Sequence, residues 1–196
     1  RTQHRQPRMR EDLHLGVAHQ QRHRARVDHR PDPRGVAGLV IAGDGQADYV
    51  DRLKAQSIEL GLSESVLWTG HLDGELKSSA FAAADVFVLP SFSENFGIAA
   101  VEALMAGLPC VLGRGVALAA EVAEAKAGLI VEPTAESIAR GLSRILSDEP
   151  GRKAMAANAV LLARDAYSIE AMGTGLASLY ERLVSPAGKK NPMDYS

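Results

Sequence analysis

Five short apolar runs, Leu39 to Ala42, Val66 to Thr69, Val86 to Leu89, Cys110 to Leu112 and Leu129 to Val131, alternate along the chain with longer stretches of helical periodicity. Crossovers of this length between strands imply parallel pairing, so the expected fold class is α/β, a doubly wound parallel sheet with flanking helices. The helices carry punctuation: Asp73 precedes Glu75 to Ala84, Thr134 precedes an amphipathic run with Ile138, Leu142, Ile145 and Leu146, and Ser168 precedes a last helix reaching Leu183. Ligands of such sheets sit at the carboxyl ends of the strands. Four loops fall there: Gly43-Asp44-Gly45, Gly70-His71-Leu72, Ser91 to Ile98 and Gly113-Arg114-Gly115.

The third of these loops carries the most chemistry. Glu94 and Glu102 are separated by seven residues, Asn95-Phe96-Gly97-Ile98-Ala99-Ala100-Val101, behind a strand that ends at Pro90. Gly97 to Ala106 reads as a helix closed by Gly107 and Pro109. The first amides of a helix lack intrahelical partners and sit at the positive end of its dipole, so a phosphate fits there. Gly97 lets a ligand approach the backbone, and Phe96 and Ile98 are expected to wall the turn against water. Glu102 is the only charge in the apolar run Ile98 to Met105, so it needs a donor pair, which ribose hydroxyls can supply. The plainer alternatives are that Glu94 is a solvated loop acid and that Glu102 pairs with an arginine from elsewhere in the fold. Taken with Phe-Gly between the two acids and Pro90 in front, the ligand site is the stronger interpretation.

Further segments stand in the same order: Leu39-Val40-Ile41-Ala42-Gly43-Asp44-Gly45, Trp68-Thr69-Gly70-His71-Leu72, Ala83-Ala84-Asp85-Val86-Phe87-Val88-Leu89-Pro90-Ser91, Glu102-Ala103-Leu104-Met105-Ala106-Gly107-Leu108-Pro109 and Gly128-Leu129-Ile130-Val131-Glu132-Pro133. With them, the chain from about Leu39 to Leu183 resembles the C-terminal, donor-binding domain of a retaining glycosyltransferase of the GT-B fold (group 1, family 4 type). The resemblance implies that Glu94 faces the transferred sugar as the catalytic-site residue, that the Phe96, Gly97 and Ile98 amides hold the diphosphate, and that Glu102 binds the ribose. Leu72 matches a position that packs against the nucleobase, with Lys77 nearby. The donor would be a UDP- or GDP-sugar, with no metal and no other cofactor. The acceptor, a glycan or a lipid-linked molecule, would be held by an N-terminal domain that this chain lacks, as would any peripheral membrane contact. A chain starting without Met and carrying one of two such domains is expected to show little or no transferase activity alone.

Charge divides the chain. Residues 1–34 hold nine Arg, five of the six His and no Lys, with Glu11, Asp12, Asp28 and Asp32 as acids, a balance of about +5 against about −7 for the remainder. This segment is poor in apolar residues and broken by Pro31 and Pro33, which argues against a packed element. A basic tail for nucleic acid or a membrane is one interpretation, but a mixture of Arg, His, Gln and Pro without Lys is what a GC-rich gene gives when read in a wrong frame, and no nucleic-acid partner is expected. The resemblance places its first strand, a Gly-Arg and a downstream Lys in this region, and Arg22, Arg24 and Arg26 do not match that pair by spacing. The expected division is a basic, disordered or non-native segment 1–36, a nucleotide-sugar-binding domain 37–184 and a flexible tail 185–196.

Competing motifs are weaker. Gly43-Asp44-Gly45 places Asp48 where a dinucleotide fingerprint needs its third glycine. Asp73-Gly74-Glu75 resembles a metal-binding carboxylate pair, yet Asp73 is better explained as a helix cap. Arg114 between two glycines would suit a phosphate, although a solvated loop arginine is the plainer account, and His71 reads as a structural strand-end residue. Cys110, the only cysteine, excludes a disulfide framework and suits a reducing cytoplasm. No stretch has the length and apolarity of a membrane span. Two other classes stay open: a nucleotide-binding module without catalysis, and a GT-B relative of another reaction, an epimerase or phosphorylase. A phosphorylase would need a cofactor lysine, whereas Lys54, Lys77, Lys126 and Lys153 all fall on expected solvated helix faces.

Overall fold

A computed structural model of the chain describes residues 14–18 and 38–184. They form one six-stranded sheet in the order β3-β2-β1-β4-β5-β6. The strands are β1 (His14–Ala18), β2 (Gly38–Ala42), β3 (Val66–Gly70), β4 (Val86–Leu89), β5 (Cys110–Gly113) and β6 (Gly128–Val131). The helices are α1 (Ala47–Glu59), α2 (Gly74–Ala83), α3 (Ile98–Met105), α4 (Ala119–Glu124), α5 (Ala135–Ser147), α6 (Glu149–Tyr167) and α7 (Ile169–Val184). All five expected strands are present, and β2 with β3, β4 with β5, and β5 with β6 pair in parallel.

The sixth strand departs from one expectation. Residues 14–18 lie in the segment expected to hold no packed element, and they fill the slot between β2 and β4, antiparallel to both. Gly16 stands opposite Val40 on one side and Phe87 on the other. His-Leu-Gly-Val-Ala is the one run in that segment with enough apolar character to pair, and without it β2 and β4 would each present an open edge. The remainder of segment 1–36 and the tail 185–196 lie outside the described residues.

Parallel strands covered on both faces read as continuous apolar runs, and β4 and β5 are buried at every position. Alternation sorts their side chains. Phe87 and Leu89 pack with Leu104 of α3, Leu112, Leu118 and Val122, while Val86 and Val88 pack on the opposite face with Val111, Val131 and Ile145 of α5. Gly128 of β6 allows the close approach of β5, since a Cβ there would lie 2.0 Å from the Cys110 carbonyl oxygen. Burial pushes the Cys110 thiol well above its ordinary pKa.

Side-chain caps set the starts of α5, α6 and α7, whereas α1 to α4 begin without one. Thr134 accepts from the Ser137 amide at 3.3 Å, and Ser168 accepts from the Ala171 amide at 3.0 Å. Asp73 occupies the N-cap position of α2 in extended conformation, but its side chain makes no capping hydrogen bond. Helix α6 begins at Asp148, whose carboxylate accepts from the Gly151 amide at 2.9 Å, with Pro150 in the first turn.

Candidate functional site

Helix α3 points its N-terminus at the carboxyl end of the sheet because β4 stops at Leu89 and the chain needs eight residues, 90–97, to turn back. Gly97 makes the final turn with φ +81° and ψ 54°, a left-handed conformation that costs other residues about 1 kcal/mol or more. A Cβ at this position would also meet Leu118 Cδ2 at 3.2 Å and Val116 Cγ1 at 3.3 Å. The Gly97 carbonyl accepts from the Ala100 amide at 2.8 Å and the Val101 amide at 3.2 Å, and the Ile98 and Ala99 amides at the very start of the helix have no intrahelical acceptor. The other end closes as expected, with Gly107 at φ +79°.

Glycines at the next loop serve a different purpose from the one Gly-Arg-Gly suggests. A Cβ on Gly113 would lie 2.3 Å from the Ser91 carbonyl oxygen, and one on Gly115 would lie 1.9 Å from that of Phe92. The β5–α4 loop therefore lies directly on the β4–α3 loop. Two backbone bonds join them: the Glu94 amide donates to Gly115 O at 3.0 Å and the Ala117 amide donates to Glu94 O at 3.1 Å. Arg114 turns away and pairs through Nε with Glu132 Oε1 at 2.6 Å in an exposed setting. Glu94 is held by its backbone, and its own carboxylate accepts from the Phe96 amide at 3.4 Å.

Below the α3 turn, a cleft of about 420 Å³ runs along the carboxyl end of the sheet between α2 and α3. Lys77, Ala80, Phe81 and Ala84 share one face of α2 or its end, and Ile98, Ala99 and Glu102 share one face of α3, as i, i+3 and i+4 spacing requires. Leu72 and His71 of the β3–α2 loop and Gly43 and Asp44 of the β2–α1 loop complete the lining. Asp44 ties the two loops by accepting from the His71 amide at 3.2 Å. Lys77 Nζ stands 2.6 Å from Glu102 Oε1, and both side chains are only partly exposed.

Of the residues singled out by motif, Leu72, Ile98 and Glu102 line the cleft, while Glu94, Phe96 and Gly97 form the turn at its edge. Three details differ from expectation. Glu102 finds its partner in Lys77 rather than in an arginine, and Lys77 is not on a fully solvated face. Phe96 and Ile98 do not wall the turn: they are 49% and 67% exposed, because the turn stands at the molecular surface. The Phe96 ring is instead held edge-on by Tyr167 at the end of α6, 6.0 Å between centroids, and the Tyr167 hydroxyl bonds Glu121. Burial and the Glu121 carboxylate together push the Tyr167 hydroxyl above its ordinary pKa. Sequence reasoning missed Tyr167, since its contact crosses 71 positions and no local pattern announces it.

Comparison with known proteins places this architecture. The family described as Glycosyl transferases group 1 matches residues 29–161. An uncharacterized glycosyltransferase of Methanocaldococcus jannaschii is 33% identical over 157 residues, covering 80% of this chain and 40% of its own length. A D-inositol 3-phosphate glycosyltransferase of Corynebacterium urealyticum is 40% identical over 149 residues, covering 74% of this chain and 35% of its own. Among solved structures, Anabaena HepE in complex with UDP-glucose superposes with a TM-score of 0.65 at 26% identity, over 73% of this chain and 40% of that one. This chain thus spans 35% to 40% of the length of these relatives. The match to the family covers well over half of the residues and takes in β2 to β6 and the α3 turn: the chain belongs to the group 1 glycosyltransferases.

Proposed function

We propose that the α2–α3 cleft binds a nucleotide diphosphate sugar, UDP- or GDP-linked, and that the chain is the donor-binding part of a retaining glycosyltransferase. The single observation that carries this is the placement of the start of α3, whose first amides have no intrahelical acceptor, on the edge of a cleft that leads to Glu102. The diphosphate lies at the amides of Gly97 and Ile98, with the Phe96 amide beside them. Glu102 accepts from the ribose hydroxyls, and the apolar wall of Leu72, Ala80 and Phe81 takes the base. HepE has been solved with UDP and with UDP-glucose, which supports the ligand class.

In this scheme the glycosidic bond to the diphosphate breaks, the acceptor oxygen bonds to the anomeric carbon on the same face of the sugar, and the hydroxyl proton passes to the departing diphosphate. Negative charge grows on the leaving diphosphate, and fixed amides stabilise it without reorganising. Glu94, anchored through two backbone bonds to the β5–α4 loop, orients the sugar hydroxyls. Neither a metal nor a further cofactor enters the scheme. The acceptor, a glycan or lipid-linked molecule, is held by a second domain.

Calorimetric titration with UDP, GDP and ADP tests this. One nucleotide binds, and Glu102→Ala weakens it by about tenfold or more, as the loss of hydrogen bonds to a charged group predicts. A folded chain that binds none of the three, or binds equally well without Glu102, overturns the proposal.

A further inference from the structure

Lys77 and Glu102 form the one ion pair that spans the cleft among the described residues, joining α2 to α3 across 25 positions. Their surroundings are otherwise apolar on both helix faces: Ala80, Phe81 and Ala84 on one side, Ile98 and Ala99 on the other. Resting on the nucleotide reading above, we propose that Lys77 is the positioning residue for ribose recognition. By holding Oε1 of Glu102 it aims the second carboxylate oxygen at the vicinal diol, and so sets a preference for ribonucleotides over 2′-deoxyribonucleotides.

An ionised carboxylate is an acceptor with room for about four hydrogen bonds, and an ammonium fills only one of those positions. Among the described residues Lys77 is the only side-chain partner of Glu102, so Oε2 and the remaining capacity of Oε1 are open to a ligand. A diol has two donors at a fixed separation and needs the carboxylate held in one orientation. Glu102 alone on its helix face has three rotatable bonds and a side chain one-third exposed, and would turn toward water. The lysine removes that freedom before the ligand arrives. The ammonium occupies one oxygen only, so the pair is shared with the ribose rather than broken by it.

The test is titration of the chain with UDP, GDP and ADP, each beside its 2′-deoxy form, in wild type, Lys77→Met, Lys77→Arg and Glu102→Gln. Melting temperature and circular dichroism are matched first, and Met retains most of the lysine stem. The wild type prefers the ribonucleotide, and Lys77→Met lowers that preference by about tenfold while leaving affinity for the deoxy form within about twofold. Lys77→Arg retains the preference. Equal weakening of both forms in Lys77→Met shows a merely structural lysine and overturns the proposal, as does an unchanged preference. Should Glu102→Gln keep the full preference, or should the wild type bind no nucleotide, the ribose role of Glu102 falls first and the Lys77 role with it.

Discussion

Replacing Gly115 by alanine separates two accounts of the Gly113-Arg114-Gly115 loop. If Arg114 grips a phosphate, the glycines are merely flexible. If the glycines let two loops lie on each other, alanine at position 115 must push them apart, because its Cβ would sit 1.9 Å from a backbone oxygen that has no side-chain freedom to give way. The displacement breaks the Glu94–Gly115 and Ala117–Glu94 backbone bonds, 3.0 and 3.1 Å long. At about 1 kcal/mol for each, with some loosening of buried Val116 and Leu118, Gly115→Ala costs about 2–3 kcal/mol. For a domain of this size that lowers Tm by about 5–10 °C. Arg114→Ala removes only an exposed ion pair with Glu132, worth about 0–1 kcal/mol, and shifts Tm by no more than about 2 °C. Differential scanning fluorimetry of both variants, followed by nucleotide titration, decides the matter. A stable Gly115→Ala protein, or an Arg114→Ala protein that melts normally but loses nucleotide binding, would refute the loop-packing account.

Two further outcomes follow from the same geometry. Gly97→Ala, forced into a left-handed conformation against Leu118 and Val116, destabilises the fold by about 1–2 kcal/mol and weakens nucleotide binding by more than that loss explains, because the amides are re-aimed; denaturant melts paired with titration measure both. Burial raises the Cys110 pKa in the folded state, so the unfolded chain releases the thiol proton first; stability is unaffected at neutral pH and falls as pH rises above the ordinary thiol value of 9.0, and a thiol reagent at pH 8 labels Cys110 only on unfolding. Cys110→Ala removes that share of the alkaline loss in denaturant melts.

Much of this architecture was legible in the sequence because local signals and tertiary packing agree. Val86-Phe87-Val88-Leu89 is apolar at every position, ends at a proline, and is buried at every position. Gly97 and Gly107 announce the two ends of α3 and both adopt left-handed conformations. Strand β1 was not legible, because five residues amid arginines and histidines show too little pattern, and what stabilises them is the slot between β2 and β4. Helix α6 is alanine-rich with a weak apolar stripe, so its best signal was Asp148-Glu149-Pro150 at its start. At the site, the lone acid on the apolar run Ile98 to Met105 correctly asked for a partner, but only the juxtaposition of α2 and α3 could identify it as Lys77. Phe96 was read as a water barrier from its apolarity alone, whereas its ring lies at the surface against Tyr167.

The most direct test of the central claim is an amide nitrogen–proton NMR titration of the ¹⁵N-labelled chain with the nucleotide diphosphate that binds. The largest shifts fall on Phe96, Gly97, Ile98 and Ala99, with smaller ones at Leu72 and around Lys77 and Glu102. Shifts confined to Gly43-Asp44-Gly45 and the start of α1, with the α3 turn unmoved, would contradict it.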